Sequence, residues 1–412
     1  MAGIYVPRLA DRLVGSLLAE LPAVMVVGPR GVGKTTSSAR RASAVVRLDR
    51  PADAVAFRSD PDAALRAYDE PLLIDEWQVV PEVLAAVKRA VDDDHRAGRF
   101  VLTGSVRAEL LNATWAATGR VVRVEQWGMV EREVSGDATR QSFFDFLFDG
   151  QVAELGPAGR LGLIDYVELA LRSGFPELVN RSSPALRRRW LASYVDQLVM
   201  RDAALADADR DPVRLRRYLS AVAANTAGVV AHRTLYGAAG VTRPTAVAYD
   251  ALLELLFAHE LVPAWHTNRL NRLSRTPKRY LIEPALVGPL LGVDARAAIR
   301  NGDVLGRLID TFVVAQLRPE LNLGTTTPRL YHLRHDDGRY EVDLVAEAPD
   351  GRIVAFEIKA TATPAEPDAR HLKWLREQLG DDFACGVVFH TGPLPIKLSD
   401  RIWALPISCL WG

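Results

Sequence analysis

The chain has 412 residues, 49% of them hydrophobic and 25% charged, which excludes the disordered class and allows more than one buried core. Its 51 basic and 51 acidic side chains cancel, so bulk charge cannot attract nucleic acid and only local basic patches are left for that role. Two cysteines, Cys385 and Cys409, exclude a disulfide scaffold, and a start charged at Arg8, Asp11 and Arg12 excludes a signal peptide; with no apolar run of about 18 residues, a cytoplasmic protein without a membrane partner is expected.

Along the first segment, short apolar runs alternate with helical patterns: PAVMVVG, AVVRLD, PLLIDE, RFVLTGS and RVVRVEQW. Mostly apolar strands of this kind suit a parallel sheet covered on both faces, so residues 1–135 are expected to form an α/β domain. Residues 136–210 read as a helical linker region broken at Ser173-Gly174-Phe175-Pro176. Over 211–295 a helix is followed by two short helical patterns meeting at Gly240, a helix-turn-helix. LVPAWHT and KRYLIE then supply the two strands of a wing. Residues 296–412 read as helix, three strands, helix, strand, with hairpins signalled at Asp336-Asp337-Gly338 and Pro349-Asp350-Gly351.

GPRGVGKT has the Walker A form and stands between an apolar strand and a helical segment, the context its chemistry requires. Gly28, Gly31 and Gly33, with Pro29, Arg30 and Val32 between them, would turn backbone N–H groups toward phosphates. Lys34 would contact the β- and γ-phosphates, Thr35 would ligate Mg²⁺, and Thr36, with Pro29, Arg30 and Val32, completes the residues expected to bind the nucleotide. ATP is the expected nucleotide and GTP the alternative. LLIDE has the Walker B form, with Asp75 at the metal and Glu76 polarising the attacking water. Thr103 in FVLTGS stands where a polar sensor of the γ-phosphate would sit, or simply ends a strand. Arg120 in ATGR reads either as an arginine finger or as a solvated strand-start arginine.

GPRGVGKTT, LLIDEWQ, LTGS, ATGR, SGFPE, the YVDQLVMRD stretch, TPKRYLIEPAL, EVDLV and FEIKA together resemble prokaryotic AAA-type P-loop ATPases. Those proteins carry a C-terminal domain of unknown function combining a winged helix with a PD-(D/E)xK nuclease-like fold. The resemblance covers nearly the whole chain. It implies an α/β multidomain fold: an AAA-like P-loop NTPase, a helical and winged-helix middle, and a restriction-endonuclease-like α/β domain. Two departures are visible: Ser173 stands where a glycine is usual, and Glu283-Pro284-Ala285 replaces a usual Asp-Thr-Gly.

Arg243 opens the second helix of the helix-turn-helix, and NRLNRLSRTPKR carries Arg269, Arg272, Arg275, Lys278 and Arg279 with no acid. Such a wing could contact a DNA backbone; the competing use is a contact within the protein. Glu341 and Asp343 share one strand face, as do Glu357 and Lys359 on the next strand, and Asp310 lies on the preceding helix. If the strands pair, Asp343 and Glu357 would hold Mg²⁺ or Mn²⁺ while Lys359 activates water toward a phosphodiester. Alternating charge on a half-exposed strand gives the same letters. The expectation is an ATPase coupled to nucleic acid, DNA favoured, with a homo-oligomer allowed; the rival is a nucleotide-dependent regulator or remodelling switch without nuclease chemistry.

Overall fold

The computed structural model describes residues 5–107, 119–181, 183–202, 211–335 and 338–412, without the side chains of Arg201, Asp202 and Ser274. Ala117 and Thr118 of the ATGR motif, and the expected turn residues Asp336 and Asp337, lie outside the described residues. The chain divides into two compact units. One comprises Met1–Met129 with Gly174–Glu177 and Ala251–Ala258, and the other comprises the remainder.

In the first unit, strands β1 (Ala23–Val27), β2 (Ala44–Arg47), β3 (Leu72–Asp75), β4 (Phe100–Gly104) and β5 (Val122–Glu125) form one sheet in the order β2-β3-β4-β1-β5. Every pairing is parallel. Residues of β1, β3 and β4 are buried throughout, which explains runs of Val, Leu and Ile with no polar alternation. Helix α1 (Leu9–Glu20) covers one face by setting Val14 and Leu18 among Val24, Val26, Val101 and Val124. The remaining helices are α2 (Lys34–Ala39), α3 (Pro51–Ser59), α4 (Pro61–Arg66) and α5 (Val83–Asp93). Because α5 runs back from the carboxyl end of β3 to the start of β4, its last turn lies at the sheet edge opposite the loop that follows β1.

The second unit contains helices Pro212–Ala224 and His232–Ala239, then Gly240 in a left-handed turn (φ 66°) before helix Arg243–Leu255, whose last turn belongs to the first unit. The antiparallel hairpin β6 (His259–Val262) and β7 (Lys278–Leu281) follows. Between its strands lies a helical turn, Arg269–Ser274. A six-stranded mixed sheet is built from β8 (Arg329–His335), β9 (Tyr340–Glu347), β10 (Ile353–Ile358), β11 (Phe383–His390), β12 (Ile396–Ser399) and β13 (Ile402–Pro406), ordered β12-β13-β11-β10-β9-β8. Helix Gly302–Leu317 precedes β8, and helix Arg370–Leu379 separates β10 from the parallel strand β11, the expected element order. One face of this sheet packs Leu372 and Leu375 on Ala355 and Val388, while Phe356 and Phe389 on the other face meet Phe143 and Phe144.

Ser173 has φ 84°, a backbone shape that favours glycine, so the departure from the related pattern leaves a β-carbon in a strained turn. Deeper in the same unit, Arg132 and Glu320, each 2% exposed, form an ion pair at 2.6 Å, and Glu320 also accepts from the Phe143 N–H.

Candidate nucleotide site and a second charged cleft

The loop after β1 is shaped by close approach. A β-carbon on Gly28 would stand 2.0 Å from the Gln126 carbonyl oxygen, so no larger residue fits there. Gly31 (φ 80°) and Gly33 (φ 92°) take left-handed conformations, and Gly33 leads directly into α2. The Lys34 side chain is buried, and its ammonium donates to the carbonyls of Gly28 (2.9 Å) and Pro29 (2.8 Å), curling the loop around it. Burial lowers this ammonium to about 8, only partly opposed by Glu76 and Asp75.

At the end of β3, Asp75 is buried and its Oδ1 accepts from the Thr35 hydroxyl at 2.8 Å and from the Thr103 hydroxyl. The two Walker motifs and the β4 hydroxyl therefore meet at one carboxylate oxygen. Thr35 and Asp75 supply hard oxygen ligands beside the loop, a donor set that fits Mg²⁺ held with nucleotide phosphates. Glu76 adopts a left-handed backbone (φ 53°) and accepts hydrogen bonds from Gln78 and from Ser105 (3.3 Å). Ser105 and Gln78 thus hold the carboxylate expected to orient water.

Two supporting residues escape motif reading. Arg8 is 5% exposed; its guanidinium donates to the carbonyls of Val32 and Trp127, each at 2.7 Å, and props the loop from behind. Gln126 receives the Ser37 hydroxyl at 2.7 Å and donates to Val32 at 3.2 Å. Neither belongs to a phosphate motif, and each reaches the loop from far along the chain.

Arg120, read either as an arginine finger or as a solvated strand-start arginine, is ion-paired at the surface. It donates to Asp92 at 2.6 Å, in the last turn of α5. With Val122 beside Val24 in a parallel pair, Arg120 lies at the sheet edge away from the phosphate loop.

The expected basic wing is corrected. Arg272 is paired through two nitrogens with Glu347, Arg279 is buried against Asp250 at 3.1 Å, and Lys278 is buried between carboxylates. Arg243, Arg269 and Arg275 are exposed. Three of the five cations in the loop therefore neutralise acids of the same unit.

Strands β9 and β10 pair, and Asp310, Glu341, Asp343 and Lys359 line one cleft, but a lysine read from the sequence as part of the wing stands between two of the acids. Lys278 Nζ lies 2.7 Å from Asp310 Oδ2 and 3.1 Å from Asp343 Oδ1. Tyr280 donates to the other Asp310 oxygen at 3.0 Å, and the Ile358 N–H to the other Asp343 oxygen at 3.0 Å. Burial by itself would lower Lys278, but Asp310 and Asp343 reverse this and hold it well above its ordinary value. Burial pushes Asp310 up to about 6.

Glu357 pairs with Lys359 at 2.7 Å and faces His371 Nδ1 at 3.7 Å, while Glu341 turns to Arg334 at 2.9 Å. Among the described residues no group of three or more His, Cys, Asp or Glu side chains is arranged to hold a metal ion. With Lys278 in place these residues do not fit the divalent ion that the D…ExK pattern implies. Lys278, Asp310, Glu341, Asp343 and Lys359 border a cleft of about 400 Å³ lined also by Arg307, His332 and Arg334.

Comparison with known proteins agrees with this division of chemistry. Residues 20–135 match an AAA domain, residues 163–297 a domain of unknown function (DUF8612), and residues 305–410 another domain of unknown function (DUF4143). Uncharacterized proteins of Mycobacterium tuberculosis and Mycobacterium bovis are each 28% identical over 396 residues, covering 94% of this chain and 81% of their own.

Among solved structures, a Walker-type ATPase of Pyrococcus abyssi aligns with a TM-score of 0.42 at 14% identity, covering 68% of this chain and 94% of its own. RuvB of Thermotoga maritima aligns at 0.29 and 17%, covering 66% and 90%. Both scores are too low to carry an assignment. The AAA match and the loop geometry together make the N-terminal region a P-loop ATPase domain that binds nucleotide. Among the described residues no helix is long and apolar enough to cross a membrane.

Proposed function

We propose that this chain is a Mg²⁺-dependent ATPase whose cycle is coupled to nucleic acid, DNA in preference, held by the second unit. The observation that carries the catalytic part is the meeting of Thr35, Thr103 and Asp75 at one oxygen beside the phosphate loop. Lys34 exchanges loop carbonyls for phosphate oxygens when nucleotide enters. Thr35 and Asp75 would hold a Mg²⁺ ion, whose chemistry when bound would be to offset negative charge on the phosphates. Glu76 orients the attacking water, and Ser105 and Gln78 fix its carboxylate. Arg120, on the far sheet edge, could reach only the phosphates of a neighbouring copy in a homo-oligomer.

Support for nucleic acid comes from the order helix, Gly240 turn, helix and hairpin, read as a winged helix with Arg243 exposed at the start of its second helix. Arg275 and Arg334 also line a cleft of about 430 Å³, suited to a phosphate backbone. Asp343 and Lys359 line the neighbouring cleft of about 400 Å³, which shares His332 and Arg334 with this one, and with Glu357 in a nuclease-like domain they would make it a site of metal-dependent phosphodiester cleavage. A switch that holds nucleic acid without cutting it is the second reading, favoured by the ammonium between Asp310 and Asp343.

The test is ATP turnover with Mg²⁺, with and without duplex DNA, in wild type, Lys34→Ala and Arg275→Ala. Turnover should fall about 100-fold or more in Lys34→Ala, because the lysine's stabilisation of phosphoryl charge is removed. Arg275→Ala should weaken DNA binding and leave basal turnover intact. Undiminished turnover in Lys34→Ala would overturn the site. DNA that neither binds nor alters turnover would overturn the nucleic-acid half alone.

A further inference from the structure

A pair of carboxylates brought together from different elements normally carries its cation with it, because two adjacent anions withdrawn from water repel and lose hydration. Asp310 comes from helix Gly302–Leu317 and Asp343 from β9, and the cation between them comes from a third element, β7. Lys278 keeps 6% of its side-chain surface, Asp310 11% and Asp343 28%, so the ammonium is enclosed while Asp343 opens onto the cleft. Each carboxylate oxygen already has one partner: Tyr280 and Lys278 on Asp310, Lys278 and the Ile358 N–H on Asp343. No oxygen of these two carboxylates lacks a partner; of the neighbouring Glu357, Oε1 is buried without a hydrogen bond and faces only His371 at 3.7 Å.

We infer that Lys278 is the resident cation of this centre: Asp310 and Asp343 form a latent divalent-cation site that β7 keeps filled with its own ammonium. The inference rests on reading Asp343, Glu357 and Lys359 as a nuclease-like centre, and concerns how that centre is controlled. The three groups at the ammonium sum to one negative charge, since two carboxylates face one lysine. A divalent ion in place of the lysine would neutralise both acids. Oxygen ligands of such ions lie at about 2.0–2.6 Å, so from the present 2.7 and 3.1 Å the exchange draws the Asp310 oxygen inward by about 0.1–0.7 Å and the Asp343 oxygen by about 0.5–1.1 Å. The open side of Asp343 provides the entry path. In the wild-type chain the centre is therefore closed to metal.

The experiment uses the full chain without nucleotide and Mn²⁺ as the probe, followed by electron paramagnetic resonance in wild type, Lys278→Met, Lys278→Gln and Lys278→Met combined with Asp343→Asn. Wild type should show no Mn²⁺ that depends on Asp343. Lys278→Met or Lys278→Gln should gain a single bound ion, and Asp343→Asn should remove it. Asp343-dependent Mn²⁺ in wild type would overturn the inference, as would a folded Lys278 variant that gains none. Should both variants fail to fold, melting of wild type and Asp343→Asn with and without Mn²⁺ decides: no Mn²⁺ shift in wild type supports closure, and an upward shift absent from Asp343→Asn overturns it. Nuclease assays on the metal-loaded variant separate the two readings. Mn²⁺ bound without DNA cleavage leaves the resident lysine standing and removes the phosphodiesterase.

Discussion

Lys34 holds its ammonium on the carbonyls of Gly28 and Pro29 at 2.9 and 2.8 Å, and burial depresses it to about 8. Phosphate oxygens favour the charged form more strongly than carbonyls do, so nucleotide binding raises this value again. The sign follows directly: above pH 8 the free site has lost protons that the bound site keeps, so ATP affinity falls as pH rises and binding takes up protons. At pH 8.5 about three quarters of the free lysine is neutral if it titrates at about 8, so uptake should approach that fraction of a proton per ATP. Calorimetry in buffers of different ionisation enthalpy measures it, and Lys34→Ala should abolish it. Uptake that persists in Lys34→Ala would assign the proton elsewhere.

The hairpin β6–β7 shows at the scale of an element why part of the molecule was legible in the sequence and part was not. GPRGVGKT and LLIDE carry their chemistry and their structural context within a few residues, so strand, loop, helix and the meeting of Thr35 with Asp75 could all be anticipated. NRLNRLSRTPKR looks like a free basic wing because its partners are remote: Arg272 finds Glu347, Lys278 finds Asp310 and Asp343, and Arg279 finds Asp250. Local charge density cannot reveal neutralisation by residues that only the tertiary fold brings near. Arg8 behind the phosphate loop was missed for the same reason.

The consequence for DNA binding is quantitative. Six free cations, Arg243 with the five of the loop, would give a slope of log affinity against log salt of about −5.4, at roughly −0.9 per phosphate neutralised on duplex DNA. With Arg269, Arg275 and Arg243 exposed and the other three cations of the loop engaged, the slope should lie near −2 to −3. A titration of labelled duplex over a range of NaCl measures it, and a slope of −4 or steeper would mean that the internal pairs open on binding.

At the scale of the whole molecule, the composition break near residue 135 is not where the ATPase unit is completed. That unit also takes in Gly174–Glu177 and Ala251–Ala258. A β-carbon on Gly33 would lie 3.5 Å from the Pro176 ring, and the Met129 N–H donates to the Gly174 carbonyl at 2.6 Å. Phe257 packs edge-on against Trp127 at 5.8 Å and carries the Arg107 guanidinium over its ring at 4.4 Å.

A fragment ending at residue 135 keeps every phosphate motif yet loses these covers. Burying one Phe side chain is worth about 1.5–3 kcal/mol and an aromatic pair about 0.5–1.5 more, against a domain stability of only about 5–15 kcal/mol. The fragment 1–135 should therefore melt well below the ATPase transition of the full chain and show far weaker ATP-dependent stabilisation. Phe257→Ala in the full chain should reproduce part of the loss, about 3–5 kcal/mol for a buried Phe, while leaving every nucleotide-contacting residue in place. Calorimetric melting with and without Mg²⁺-ATP distinguishes the cases. If the fragment matches the full chain, the two distant segments are ornaments on a self-sufficient domain; if Phe257→Ala falls toward the fragment, the phosphate site depends on residues that no phosphate motif contains.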